Sequence, residues 1–185
     1  MARKTTARRR AKGVRRVVTT HDKGKRAVLL SDKLAKISGG EPELGVESYM
    51  LWSTRETPAD VSGNGDAGKT DLGIPPPPNG SILRIVDFHP QTKAQKNLSP
   101  DHMAKLLGVG HKASGAVSRH PGMHRTRSID YIVVMEGEID MLLDKGEVHL
   151  KAGDVLVQRG TNHAWVNRGK KTCRIAAILL DAKDV

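Results

Sequence analysis

In 185 residues the chain has one cysteine, one phenylalanine, two tyrosines and two tryptophans. A single cysteine, Cys173, excludes an internal disulfide and any zinc site built from several thiolates. Its setting, "TCRIAAILL", marks a small buried apolar group rather than a nucleophile. So few aromatic rings also leave little for the stacking platforms of single-strand nucleic-acid binders. No apolar run approaches the ~20 residues of a membrane-spanning helix, and no hydrophobic segment follows the basic start as in a secretory signal. The expectation is a soluble, cytoplasmic protein with no membrane partner. An organelle transit peptide fits the Arg-rich, acid-free start. Up to position 13, however, its apolar residues are Met and Ala, which give a helix only a weak hydrophobic face.

The net charge of +11 suggests a nucleic-acid partner until it is divided along the chain. Residues 1–26 hold eleven Lys and Arg against one Asp, and the remainder holds twenty basic against nineteen acidic residues. The body is near neutral, and the basicity belongs to the N-terminal segment. A solvated, disordered tail over 1–13 is the plain reading, and polyanion binding through it is the weaker one. The length suits one domain with a proper core.

Short β-prone runs dominate the chain. "VRRVVTT" and "KRAVLLS" are joined through "HDKG" as a hairpin, and "ESYMLWST" reads as a further strand. A loop rich in Gly, Asp and Pro follows. Within it, Gly63 to Thr70 satisfies the phosphate-loop pattern G-x-x-x-x-G-K-[ST]. That chemistry needs a buried strand before the loop and a helix after it. Here "ETPADVS" precedes and four prolines follow, so the match is compositional. "SILRIVDFHP" alternates as a strand. "SPDHMAKLLGVG" predicts a short helix over 99–108, with Ser99 as N-cap, Pro100 in the first turn and Gly108 as a stop. From residue 122 onward, "DYIVVME", "EIDMLLD", "EVHLK", "DVLVQR", "HAWVN" and "CRIAAILLD" are strands between Gly-containing turns, the pattern of a sandwich or barrel.

One stretch carries chemistry. In "HPGMHRTRSIDYIVVMEGEIDMLL", His124, Thr126, Ser128 and Asp130 fall at alternate positions, so a strand would present all four on one face. Such polar groups must be paired or used, because burying one alone costs on the order of 1–3 kcal/mol. A pocket is the simplest way to keep them together.

From Gly122 to Asn167 the chain resembles the two-motif signature of the cupin superfamily. In the first motif, His124 matches the first His, Thr126 stands where a second His is usual, Asp130 stands for Glu, and Gly137 closes the motif. In the second, Gly153, Gly160, His163 and Asn167 match, while "VQRG" replaces the proline segment and is one residue short. "MHRT", "DY" and "QRGTNHAW" are similar to a group of small single-domain cupins of bacteria and fungi. The resemblance implies an all-β fold: a cupin-type jelly-roll β-barrel with N-terminal extension strands and one short helix. The chain then divides into a basic tail (1–13), N-terminal strands with a Pro/Gly-rich loop (14–80) and the barrel (81–185).

The resemblance also implies a site. His124, Asp130 and His163 form a two-imidazole, one-carboxylate set that could hold one divalent ion (Fe, Mn, Ni or Zn). The same residues read equally as hydrogen-bonded pocket groups without metal, doing acid–base work. Thr126, Ser128, Trp165 and Asn167 would line the pocket, and His120 is either a further ligand or a turn cap. Tyr131 has the opposite parity and packs on the outer face. Arg125, Arg127 or Arg159 could meet a substrate carboxylate, although all three read more readily as solvent-exposed. The implied function is binding of a small organic acid or aromatic metabolite, with metal-dependent decarboxylation, oxygenation or isomerisation. The alternatives are a binding cupin without catalysis and a nucleic-acid-associated protein acting through the tail. The extra strands over 14–31 suggest a homodimer.

Overall fold

The structure, a computed structural model, describes residues 13–70, 72–92, 99, 102 and 119–184. Its strands are β1 (Val14–His21), β2 (Ala27–Ala35), β3 (Val46–Thr54), β4 (Ser81–Phe88), β5 (Ser128–Glu136), β6 (Glu138–Leu143), β7 (Glu147–Lys151), β8 (Val155–Arg159), β9 (His163–Val166) and β10 (Cys173–Asp181). All pairings are antiparallel. They build a five-stranded sheet in the order β3-β4-β10-β5-β8, a three-stranded sheet β7-β6-β9 and a separate ribbon β1-β2. The all-β, jelly-roll expectation holds, with the ladders running as distinct sheets. Most of the expected tail and of the helix over 99–108 lies outside the described residues. Of that helix, Ser99 and His102 are described, and the His102 backbone N–H donates to Ser99 Oγ at 3.2 Å. No helix among the described residues is long and apolar enough to cross a membrane.

Alternation decides which side chains form the interior. On β10, Cys173, Ile175, Ala177 and Leu179 are buried, while the residues between them are more exposed. Register partners in antiparallel strands share a face. Ile82, Arg84 and Val86 of β4 and Asp130, Ile132 and Val134 of β5 therefore line the same inner face. Ile139 of β6 and Leu150 of β7 meet this row from the other sheet. Each buried Ile or Leu in that cluster contributes roughly 1.5–3 kcal/mol. The sheets turn into one another at Gly137, between β5 and β6. Its φ is +75°, and a Cβ there would lie 2.7 Å from the Thr172 carbonyl oxygen, so only glycine fits the turn.

Arg16 anchors the ribbon β1-β2, and Thr20 adds a hydrogen bond to Asn64 Oδ1 at 2.7 Å. Arg16 donates from Nη1 to the Leu51 carbonyl at 2.8 Å and from Nη2 to both Asp66 oxygens at 2.7 and 2.6 Å. Leu51 sits where the β3 register shifts between Met50 and Trp52, and a bulge leaves backbone groups free of the ladder. Asp66 also accepts from the Gly68 N–H and caps a 3-10 turn, Ala67–Lys69. The segment that imitates a phosphate loop thus fastens the hairpin. Arg15 pairs with Asp32 and Arg26 with Asp22, so part of the basic segment is neutralised within the ribbon itself.

Candidate functional site

Between the inner face of the five-stranded sheet and β9 lies a cavity of about 400 Å³. Val86, Ile132, Ile175, Leu179 and Trp165 give it a largely apolar wall, and segments 38–41 and 72–74 contribute to its lining. Polar residues also line it: Arg84, His124, Thr126, Asp130 and His163 from the strands and their ends, together with Ser38, Glu41, Ser48 and Thr70.

The two histidines are brought together by the backbone. An isolated bridge pairs His124 with His163, each N–H donating to the other's carbonyl at 2.9 Å. Their rings stand 4.6 Å apart at an interplanar angle of 45°. Nδ1 of His124 lies 2.9 Å from the Gly122 carbonyl, which can only accept, so that nitrogen carries the hydrogen and Nε2 is left as a lone pair. Nδ1 of His163 is 2.9 Å from the Thr161 carbonyl and 2.9 Å from the Gln158 amide nitrogen. In one tautomer the ring donates to Thr161; in the other it accepts from Gln158 and carries its hydrogen on Nε2. Either arrangement ties the Nδ1 edge and leaves Nε2 for the cavity. Burial lowers both imidazoles below their usual range, and the neighbouring ring helps push His163 down to about 3. Both rings are neutral at physiological pH.

The polar run from Thr126 to Asp130 forms one hydrogen-bonded line. Thr126 Oγ1 and Ser128 Oγ are 2.8 Å apart, and Ser128 Oγ donates to Asp130 Oδ1 at 2.5 Å. β5 begins only at Ser128, yet the alternation extends beyond it: Thr126, Ser128 and Asp130 are buried while Arg125, Arg127 and Ile129 are exposed. Burial raises the Asp130 carboxyl to about 6, against the opposing pull of the Ser128 hydrogen bond and of Arg84. Ser128 supports the carboxyl from below and does not line the cavity.

The other residues singled out by the sequence divide between wall and scaffold. Trp165 lines the cavity, its ring edge-on to His163 with centroids 5.8 Å apart. Asn167 does not line it. Its amide nitrogen donates to the Phe88 and Lys171 carbonyls, and its oxygen accepts from the Gly169 N–H, so it staples a turn and borders a smaller hollow of about 80 Å³. His120 accepts from the Gly122 N–H through Nδ1, a turn cap. Tyr131 is on the outer, exposed face. Arg125 pairs with Asp184 and Arg127 with Asp181, away from the cavity, and Arg159 is exposed.

Two residues escaped the sequence reading. Arg84 shares its parity with Ile82 and Val86, and a cation in that inward row was the available signal. Gln158 is the register partner of Asp130 and is almost fully buried. Its amide nitrogen reaches the Thr161 carbonyl at 2.7 Å as well as the His163 ring, while its Oε1 is buried without a partner. It links the carboxyl's strand to the imidazole pair.

Among the described residues, no group of three or more His, Cys, Asp or Glu side chains is arranged to hold a metal ion. His124 and His163 offer two imidazoles, Thr126 offers only a neutral hydroxyl, and Asp130 is turned to Ser128. The set His124, Asp130 and His163 is therefore brought to one cavity but is not assembled as a ligand group among the described residues.

A family profile described as "Cupin domain" matches residues 112–179. Phomopsin biosynthesis cluster protein C' of Diaporthe leptostromiformis is 35% identical over 181 residues, 92% of this chain and 79% of that protein. A cupin-domain-containing oxidoreductase of Aspergillus ruber is 33% identical over 177 residues, 92% of this chain and 73% of that protein. Among solved structures, a putative ethanolamine utilization protein of Salmonella typhimurium aligns over 94% of this chain and 100% of its own, with 13% identity and a TM-score of 0.44.

Proposed function

The chain belongs to the cupin family, and from that premise we propose that it binds a small, largely apolar metabolite in the cavity and moves a proton on it, with Asp130 as the acid–base group. The observation that carries this reading is that one buried carboxyl and two neutral imidazoles line a single, largely apolar pocket. Relatives named as oxidoreductases and as biosynthesis-cluster proteins support an enzymatic role over storage or transport.

A carboxyl with a value near 6 is ionised at neutral pH and still basic enough to take a proton from carbon beside a carbonyl. The electron pair of that C–H bond moves onto the carbonyl oxygen. In the tautomer supported by Gln158, the Nε2–H of His163 donates a hydrogen bond to that oxygen as its charge develops, without itself becoming ionised. In a guest with a carbon–carbon double bond β,γ to the carbonyl, the pair spreads along the dienolate, and Asp130, now neutral, returns its proton to the γ carbon. The net reaction is a 1,3-proton shift, an isomerisation with no change in oxidation state. The aliphatic wall keeps water from competing for the enolate.

The test is deuterium exchange. The full-length protein is incubated in heavy water with a panel of small enolisable ketones and keto acids, and exchange is followed by NMR. Catalysed exchange is expected for at least one member, to survive chelator treatment, and to be lost in Asp130→Asn without loss of binding. Exchange that requires an added divalent ion would overturn the metal-independent step. Binding with no exchange on any member would leave a carrier in place of an enzyme.

The ribbon supports a second proposal, a homodimer. Val17, Val28, Leu29, Leu34 and Ile37 are exposed on or beside it, more apolar surface than an isolated hairpin needs. A light-scattering mass of a single chain would defeat it.

A further inference from the structure

We infer that Arg84 selects the guest: the cavity takes a monocarboxylate with an apolar body, its carboxylate docked on the Arg84 guanidinium. This rests on the cavity being the ligand site, as proposed above.

Arg84 stands in the middle of β4, opposite Met50 of β3 and Ala177 of β10, on the face that forms the core. A cation there has to be neutralised and hydrogen-bonded, or else left open for something else to do so. Among the described residues its one hydrogen bond runs from Nη2 to the Gly73 carbonyl at 2.6 Å, which fixes the head group but brings no negative charge. Its Nε has no partner among them. Among the described residues, no carboxylate forms an ion pair with it. Asp130 is one row away across β10, since Arg84 is the partner of Ala177 and Asp130 that of Leu179. It interacts electrostatically with the guanidinium but forms no ion pair with it, and its Oδ1 accepts from Ser128. Desolvation of the half-buried side chain lowers the guanidinium's affinity for its proton, and the Asp130 carboxyl offsets this in part.

The missing partner must be an acceptor of one negative charge. A carboxylate matches the guanidinium fork, and its second oxygen can be met by a remaining N–H. A phosphate dianion would set two negative charges against one cation, in a cavity that the Asp130 and Glu41 carboxyls and two neutral imidazoles already line. Around the guanidinium the wall is aliphatic, with Val86, Ile132, Ile175 and Leu179, and Trp165 closes one end. That wall fits a hydrocarbon or aryl body, and one arginine fits one acid group.

Calorimetric binding to the full-length protein compares 3-phenylpropionate with 3-phenylpropionamide and hexanoate with hexanamide. In the wild type the acids are expected to bind at least tenfold tighter than the amides. In Arg84→Met that preference should vanish while the amides bind as before, and Arg84→Lys should keep part of it. The melting temperature of Arg84→Met should be equal to or above the wild type's, because a half-buried cation with no carboxylate paired to it among the described residues is replaced by an apolar side chain. Acids and amides binding equally to the wild type would overturn the role of Arg84 and leave the cavity reading intact. So would a preference that survives in Arg84→Met, or a melting temperature lowered by 5 °C or more, about what breaking a structural contact costs a domain this size. Absence of binding by either series would instead reject the cavity as a site, and this inference with it.

Discussion

Two arginines on neighbouring strands of one sheet meet opposite fates. Arg174 of β10 points outward and is the register partner of Asp87 on β4. Its Nε and Nη2 donate to the two carboxylate oxygens at 2.6 and 2.5 Å. Arg84 of β4 points inward and, among the described residues, holds a single carbonyl and keeps an Nε without an acceptor. The Asp87 hydrogen bond raises the first guanidinium's affinity for its proton, whereas burial lowers the second's. A fold that can saturate an arginine on one face and leaves another open toward a cavity has separated scaffold from site.

Replacement by methionine breaks this comparison most directly. Arg174→Met strands Asp87, whose side chain is 7% exposed, and should cost about 3 kcal/mol in a urea titration. Arg84→Met strands no carboxylate and should be neutral or slightly stabilising. Equal losses in the two variants would mean that both arginines serve stability alone.

The titration of Asp130 offers a second separation of comparable size. Its folded-state value of about 6 lies above the ordinary carboxylate value of 3.8, so the folded state holds the proton more tightly. Its contribution to stability is therefore fully present below about pH 4 and is lost as pH rises through 6. His124 and His163 act in the opposite sense: both are depressed, and their contribution is lost as pH falls below the ordinary histidine value of 6.5. Two histidines outweigh one carboxyl, so the wild type weakens on acidification. Asp130→Asn lacks the compensating group and should weaken more steeply between pH 6 and 4, by on the order of 3 kcal/mol over that window. Parallel stability curves would show the carboxyl to be open to solvent.

A third arginine separates the ribbon from the sheets. Arg16 joins β1 to the Leu51 bulge and to Asp66, with its side chain 12% exposed. Arg16→Ala should cost about 1–2 kcal/mol, felt locally. Hydrogen exchange should quicken in β1 and β2 and stay unchanged in β10. Quickening throughout would make the ribbon part of the core's cooperative unit.

Much of this was legible in the sequence because strand periodicity is a strong signal here. The strands expected from "VRRVVTT" to "CRIAAILLD" are present, and the alternation over 124–130 placed Thr126, Ser128 and Asp130 on the buried side. The meeting of His124 with His163 was implied by the family resemblance rather than by any local pattern, since a bridge between residues 39 apart in the chain depends on tertiary pairing. What could not be read was function within a face. Ser128 and Asp130 share parity, yet one carries the other. Asn167 shares parity with Trp165, yet its amide is consumed by three backbone groups. Arg84 was hidden by the opposite problem: in "SILRIVDF" an arginine resembles a solvated strand residue until the register shows that its neighbours are Met50 and Ala177.

The smallest expected effect is also the sharpest control on the comparison. Arg125 and Arg127 flank Thr126, the pocket residue, and by sequence they are candidates for meeting a substrate carboxylate, although both read more readily as solvent-exposed. Both point away from the cavity. Arg125 meets Asp184 at 2.6 Å and Arg127 meets Asp181 at 3.4 Å, with the arginine side chains 37% and 56% exposed. Exposed pairs of this kind contribute little, because water screens the charges and ordering two long side chains opposes the gain. Arg125→Ala and Arg127→Ala should each change stability by less than about 0.5 kcal/mol and leave the affinity for 3-phenylpropionate unaltered. Asp181 keeps its acceptor role in either variant, since the Asn79 N–H also donates to it at 2.8 Å. A loss of acid binding in Arg127→Ala as large as in Arg84→Met would place the anion at the strand ends rather than inside, and the distinction between an outer arginine and an inner one would no longer mark the site.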